Sequence, residues 1–505
     1  MKKYIYIIGC FLLFASCSDF LKERSMELAY ASSCRDLSEL LIGSGYMTGV
    51  SNNLVAMPSD HKYFPFIHVM DDDCEQFLYG SKIDGPFAYW QGFYRWEQHP
   101  FNNGGSPYSD ATWAKLYAHI ATTNTVIALA DTFEDDPEEL RNQVKGEAYF
   151  LRGAYYFLLA NLYANPYSTA TKHDPGVPVK TTEYIQDIYY HRHRLDSVYG
   201  VILHDLLQAK KYLKGITQKT VYRANEFAVS ALLSRFYLYT ANWEAAIREC
   251  DYVINRGKYQ VLDMGEYINS KDTNFLDANS VETVFSQGNA LATTLITLRP
   301  SSNKPRVSTF QVSPELLELY DEEKDLRRSV FFETVIRPAR TTVRKTRNKS
   351  TEISDIFLIR YPEVILNKAE AMAMLDNPAE EIEKVLNMLR SKRYKNGETE
   401  KITATGQELA NLIRDERRRE LCFEGHRWFD LRRYAVSPRY PYKKEIKHTS
   451  YAVSGPNQNG DIEGYYLLKP FPEDKGWVLP IPEYAITFNN GKMVANERPE
   501  RKLIH

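Results

Sequence analysis

Residues 222–259, YRANEFAVSALLSRFYLYTANWEAAIRECDYVINRGKY, carry two helical patterns separated by a short turn. Small residues (Ala228, Ala231, Ala245, Ala246) interleave with large ones (Leu232, Phe236, Tyr239, Ile247, Val253) at helical spacing. That alternation lets two antiparallel helices approach closely and interlock. Neither helix buries its apolar face alone, so such a pair must stack on further helices. The constraint is strong: the surrounding chain has to supply those helices.

Two other stretches do so. One pair runs from about 111 to 133 and from about 137 to 163. Its second member places Ala148, Leu151, Tyr155, Leu158 and Leu162 at three- and four-residue steps, an amphipathic stripe. Asp136 is expected as its N-cap with Pro137 at the first helical position, and Asn165-Pro166 ends it. The third pair is IRYPEVILNKAEAMAMLDN followed by PAEEIEKVLNMLRSKR. The pairs resemble tetratricopeptide-type units, and the expected fold class is mostly α, a helical scaffold of such pairs with a loop-rich ligand-binding region. The loop-rich parts are expected at about 52–110 and 264–350, and loops of that length in a compact protein are more often functional than accidental.

The N-terminus carries an export signal. Lys2 and Lys3 precede thirteen uncharged residues, YIYIIGCFLLFAS, and then Cys17. The apolar run is too short to span a bilayer. Ala15-Ser16 before Cys17 resembles a bacterial lipobox, so residues 1–16 are expected to be removed, Cys17 to carry lipid, and residues 17–35 to form a tether. The body is expected over 36–505, with halves of about 36–260 and 261–505 that fold together. Cys250 and Cys422 sit in helical patterns and read as small buried hydrophobes, whereas a Cys34–Cys74 bridge is left open. With 63 basic and 65 acidic side chains the chain has no global field for nucleic acid, and no nucleic-acid partner is expected.

Several motifs invite chemistry. Asp71, Asp72 and Asp73 offer oxygens of the kind calcium takes, but the spaced ligands of a calcium loop are missing, so a solvated acidic turn is expected. His191 and His193 lack a third ligand, and no metal or cofactor is expected. The sequence shows no phosphate-cradling glycine loop, no GxSxG elbow and no HExxH, so the chain is read as a non-enzyme. RDERRRELCFEGHRWFDLRRY, residues 414–434, has seven arginines against five carboxylates. A net charge of +2 is small for a phosphate-binding arm. Helical spacing pairs Arg417 with Glu420, Glu424 with Arg427 and Asp430 with Arg433, and Ile413, Leu421, Trp428 and Leu431 share a face, so this is read as a charge-paired structural helix. FAYWQGFYRWEQHPFNNGG, by contrast, crowds Tyr89, Trp90, Phe93, Tyr94 and Trp96 where glycines and Gly85-Pro86 argue against a regular helix. Aromatic platforms with neighbouring polar groups suit a sugar, whose C–H face lies on a ring while its hydroxyls meet Asn, Asp or Gln.

The arginine-rich stretch closely resembles the C-terminal signature of the SusD/RagB family of bacterial outer-membrane lipoproteins. CSDFL after the lipobox, WAKLYAHIATTNTVI, GEAYFLRGAYYFLLANLY, IRYPEVILNKAEAMA and GWVLPIPEYAITFNNGKMVANERP follow in the family's order. Phe14 stands for the usual Leu of the lipobox, and Ala164-Asn165 for the usual Gly-Asp. The resemblance implies four tetratricopeptide-like pairs and a lipid-anchored protein exposed on the outer membrane. It implies a lid over a SusC-type TonB-dependent transporter, with glycan oligosaccharides as the usual ligands and peptides in some systems. The alternative it leaves is a transporter-gating surface protein with weak glycan binding or a peptide ligand. Within the two loop regions the expected stacking platforms are Trp90, Tyr94 and Trp96, with Asp73, Asn103, Gln287 and Asn289 as polar partners.

Overall fold

The apolar stripes become the inner faces of a stack of helices. A computed structural model describes residues 31–47, 63–80, 83, 85–103, 106–107, 111–270, 274–288, 296, 307–336, 338–345, 353–455 and 458–505. Helices α1 (Cys34–Leu40) and α2 (Gly85–Tyr94) precede the longer α3 (Ala111–Leu129), α4 (Glu138–Tyr163), α5 (Leu195–Leu213), α6 (Glu226–Tyr239) and α7 (Trp243–Arg256). Then come α8 (Tyr361–Met374), α9 (Ala379–Arg390), α10 (Gly406–Leu421) and α11 (Arg427–Ala435). Each long helix from α3 to α7 packs on the next, α7 packs on α8, and α8 touches both α9 and α10. The fold is mostly α and built of stacked helix pairs, as the sequence led us to expect. Cys17 and the signal and tether before residue 31 lie outside the described residues, and α1 starts two residues inside the expected tether.

Helix α4 shows how stacking overrides a one-faced pattern. From Val144 to Tyr163 every residue except Tyr149 is buried, because α3 and α5 cover opposite sides. Its polar residues are therefore paired: Arg223 donates to Glu147 at 2.5 and 2.8 Å, and Arg152 to Asp205 at 2.7 and 2.8 Å. Gly146 permits the close approach of α5, since a Cβ there would lie 2.6 Å from Leu213 Cγ. The helix begins at Glu138 with Pro137 at the cap, one residue later than expected. Asp136 instead accepts the Cys34 N–H at 2.5 Å and ties α1 to the scaffold. In the α6–α7 pair, Asn225 caps the amides of Phe227 and Ala228, Asn242 caps that of Ala245, and Ala241 turns the chain with φ 54°.

Short antiparallel strand pairs sit beside the helices. Among them are β1 (Cys74–Tyr79), β2 (Thr283–Ser286), β3 (Val307–Val312), β4 (Leu358–Arg360), β5 (Ile446–Ala452) and β6 (Asp461–Leu468). β1 pairs with β3, placing Gln76 opposite Phe310; β2 pairs with β4 and β5 with β6. One contiguous core of buried apolar side chains reaches from Cys34 to Met493. Cys34, Cys74, Cys250 and Cys422 are all buried free thiols, so the Cys34–Cys74 bridge is absent, and Cys34 Sγ instead faces the Ala130 carbonyl at 3.6 Å. Among the described residues no helix is long and apolar enough to cross a membrane.

Candidate ligand-binding face

The aromatic segment expected as loop is a helix. Pro86 sits in its first turn, where a missing N–H does no harm. Gly92 does not break it but serves packing: a Cβ there would lie 2.7 Å from the Pro100 carbonyl oxygen, and Glu97 N–H donates to Gly92 O at 2.9 Å. Trp96, at φ 50°, ends the turn that follows.

Helix formation directs the aromatics inward. Phe93 stacks on Phe66 at 4.3 Å and meets Phe101 edge-on at 5.0 Å. Tyr94 stacks on His448 at 4.0 Å, and Trp96 stacks on the same imidazole at 4.3 Å. The Tyr94 hydroxyl accepts from Gln76 N–H at 2.9 Å and donates to Thr449 O at 3.0 Å; burial pushes its pKa far up. Trp96 Nε1 donates to Met70 O at 2.8 Å. Both rings are fully buried and both polar tips are satisfied, so Tyr94 and Trp96 are core residues and not open stacking platforms. Trp90 is also buried, at 2% exposure, but its indole N–H has no partner. An orphan buried donor is unfavourable by about 1–3 kcal/mol, which leaves Trp90 alone of the three with unused binding capacity. On the two flanks of the same helix Tyr89 and Gln91 are half-buried. They were passed over as site residues in the sequence; helical periodicity, once granted, separates them from the inward set.

The polar candidates land elsewhere. The acidic turn is not solvated: Asp71, Asp72 and Asp73 are buried. Arg427 clamps Asp72 with bonds of 2.7 and 2.8 Å, Lys444 reaches it at 2.6 Å, and Arg418 bonds Asp73 at 2.7 Å. Burial alone would raise Asp72, but Arg418 and Arg427 hold it well below the usual carboxylate range. Asp71 is raised by burial and by its two acidic neighbours. Asp73 is thus an ion-pair anchor rather than a hydroxyl partner. Gln287 is a staple: its Oε1 accepts from Met47 N–H at 3.1 Å and from the Tyr155 hydroxyl at 3.0 Å, joining the N-terminal segment to α4. Asn103 forms a two-residue strand opposite Ser106; its side chain, like the whole of Asn289, lies outside the described residues. His193 Nδ1 accepts the Val179 N–H at 3.1 Å.

The arginine-rich stretch forms two helices, α10 and α11, separated at Phe423 and Gly425, whose φ values are 56° and 73°. The break changes its pairing. Arg417 meets Asp430 at 2.7 Å, not Glu420; Glu424 meets Arg360 at 2.7 Å and Lys345 at 2.7 Å, not Arg427. Asp430 with Arg433, at 2.8 Å, stands as expected. Glu420 lies among Arg393 (2.9 Å), Arg360 (3.1 Å) and Arg327 (3.4 Å). Around it Arg327, Arg360, Arg390, Arg393, Lys345 and Arg419 face Asp325, Glu282, Glu416, Glu420 and Glu424, six cations against five anions. Densely hydrogen-bonded, the network locks the strand β4 and the 327 segment onto α10.

Known proteins resemble this chain in sequence and in fold. A sequence profile described as the SusD family matches residues 301–498, and one described as "Starch-binding associating with outer membrane" matches residues 71–238. The chain belongs to the SusD/RagB family. Among curated SusD relatives, SusD-like protein P2 of Formosa agariphila is 25% identical over 436 residues, which is 76% of this chain and 80% of that protein. SusD-like protein P38 of the same organism is 25% identical over 65% of this chain and 74% of its own length. The crystal structure of a SusD superfamily protein from Bacteroides thetaiotaomicron superposes with a TM-score of 0.72 at 21% identity, covering 92% of this chain and 100% of that one. A SusD-like carbohydrate binding protein from Bacteroides vulgatus gives 0.66 at 21% identity over 91% and 97% of the two chains. The shared architecture is therefore the SusD fold.

Proposed function

We propose that this chain is a lipid-anchored protein of the outer-membrane surface that binds nutrient oligosaccharides without hydrolysing them. It delivers them to a SusC-type TonB-dependent transporter, over which it closes as a lid. The observation that carries the reading is the pair of family matches, one of them described as starch-binding and outer-membrane-associated, laid over a stack of paired helices. A crystallised relative described as carbohydrate binding supports the ligand class. The surface around α2 is the proposed glycan surface, with Tyr89 and Gln91 on the two flanks of the helix, the Trp90 N–H between them and Asn103 in the adjoining strand pair; Asn289, outside the described residues, is proposed as a further polar partner.

The burial of Tyr94 and Trp96 favours one second reading, in which the protein mainly gates its transporter and holds glycans weakly. Affinity electrophoresis of the lipid-free mature chain in gels containing single polysaccharides separates the two. Retardation by one glycan class, reduced about tenfold in affinity by Tyr89→Ala and Gln91→Ala, is the expected result. A chain retarded by no glycan that still co-purifies with a TonB-dependent transporter from outer membranes would replace the first reading by the second.

A further inference from the structure

Away from the loop face, a cleft of about 520 Å³ opens where helices α4, α6, α8 and α11 end. That volume lies within the range of roughly 300–1,000 Å³ typical of small-molecule sites. Its rim holds Trp243 and Tyr167, its wall Tyr239, Tyr434 and Phe471. The chain has six tryptophans, and Trp90, Trp96, Trp113, Trp428 and Trp477 are buried. Trp243 is the one left half-exposed, and it lines this cleft. Tyr167 has one face occupied by Tyr199 at 4.3 Å and is otherwise half-exposed.

The charged groups in the cleft are already engaged. Arg433 binds both oxygens of Glu370 and reaches Asp430 at 2.8 Å, and Asp174 accepts from Asn165 at 2.8 Å. Lys443 projects into solvent. What remains available is the aromatic surface of Trp243 and Tyr167, with the Tyr239 hydroxyl beside it. Flat aromatic rims beside hydroxyl acceptors match a neutral pyranose.

From this we infer that the cleft is a second carbohydrate site, taking a short neutral oligosaccharide stacked on Trp243 and Tyr167. The choice of a glycan as ligand rests on the function proposed above. Two sites on different faces would let one chain hold a polysaccharide at two points, raising avidity without new contacts at either.

The test is calorimetric and fluorimetric titration of the lipid-free mature chain with malto-, cello-, laminari-, xylo- and manno-oligosaccharides. Two sites per chain are expected, with a change in tryptophan emission that Trp243→Phe removes. Trp243→Ala and Thr169→Arg, the latter an exposed position at the cleft mouth whose change spares the core, should each weaken one site at least tenfold. Tyr89→Ala should leave that site intact. A single site unaffected by both cleft variants would overturn the inference while leaving the loop-face reading standing. A wild-type chain that binds none of the sugars would remove both.

Discussion

Glu420→Gln is the sharpest perturbation of the charge network, because it removes one charge and almost no volume. Glu420 is fully buried, and its carboxylate is shared by Arg393 at 2.9 Å, Arg360 at 3.1 Å and Arg327 at 3.4 Å. The amide keeps one acceptor but turns two N–H donors toward guanidinium groups that have none to accept them. The surrounding six cations against five anions become six against four. Breaking a buried pair by removing one partner typically destabilises by about 3–5 kcal/mol. With an unfolding entropy of about 2.1 cal/mol/K per residue, a body of roughly 470 residues melting as one unit has about 1 kcal/mol/K, so the melting temperature should fall by about 3–5 °C. Differential scanning fluorimetry and urea titration read this, with Glu408→Gln, an exposed change on the same helix, as control. Arg393→Met in the Glu420→Gln background should add less than its separate effect, since the two remove the same interaction. A Glu420→Gln protein melting within 1 °C of the control would refute the reasoning.

Three further outcomes are expected. Stability should fall on acidification: burial lowers His448 from 6.5 to about 4, so the stability gained by keeping it neutral is full above about pH 6.5 and lost toward pH 4. Glu416, which burial would raise but Arg327 and Arg419 hold at about 2, adds a second loss as pH falls from 4.5 through 2. Asp71, raised by burial and by Asp73 and Asp72, works in the opposite sense and softens that limb. A melting temperature that stays flat from pH 7 to 4 would contradict this. Alkylation of the denatured, unreduced chain followed by peptide mass spectrometry should label Cys34, Cys74, Cys250 and Cys422 alike; a Cys34–Cys74 crosslinked peptide would disprove their free state. Cys17→Ala should shift the protein from the outer-membrane fraction to a soluble one, and unchanged membrane retention would remove lipid from the account.

The helix pairs were legible because their pattern is local: small residues and large ones alternate at helical spacing, and Ala228, Ala231, Ala245 and Ala246 are all buried. The structural role of the arginine-rich stretch was also legible, but its partners were not. Arg427 meets Asp72, 355 residues away, and Arg360 meets Glu424 across 64. Spacing along one helix cannot report on contacts made by folding. The aromatic segment misled because Gly92 was read as a breaker, whereas its missing Cβ admits Pro100. Trp243 was overlooked for a related reason. It extends the apolar stripe of Ala246, Cys250 and Val253, which marks it as core until the array ends beside it and leaves its ring uncovered. Its place directly after the Thr240–Asn242 turn was the available signal.

The most direct test of the central proposal is incubation of the lipid-free mature chain with a panel of purified polysaccharides, followed by affinity electrophoresis and product sizing on the same samples. The account expects retardation by one glycan class with every chain length unchanged. Retardation by none, or glycans shortened by the protein, would contradict it.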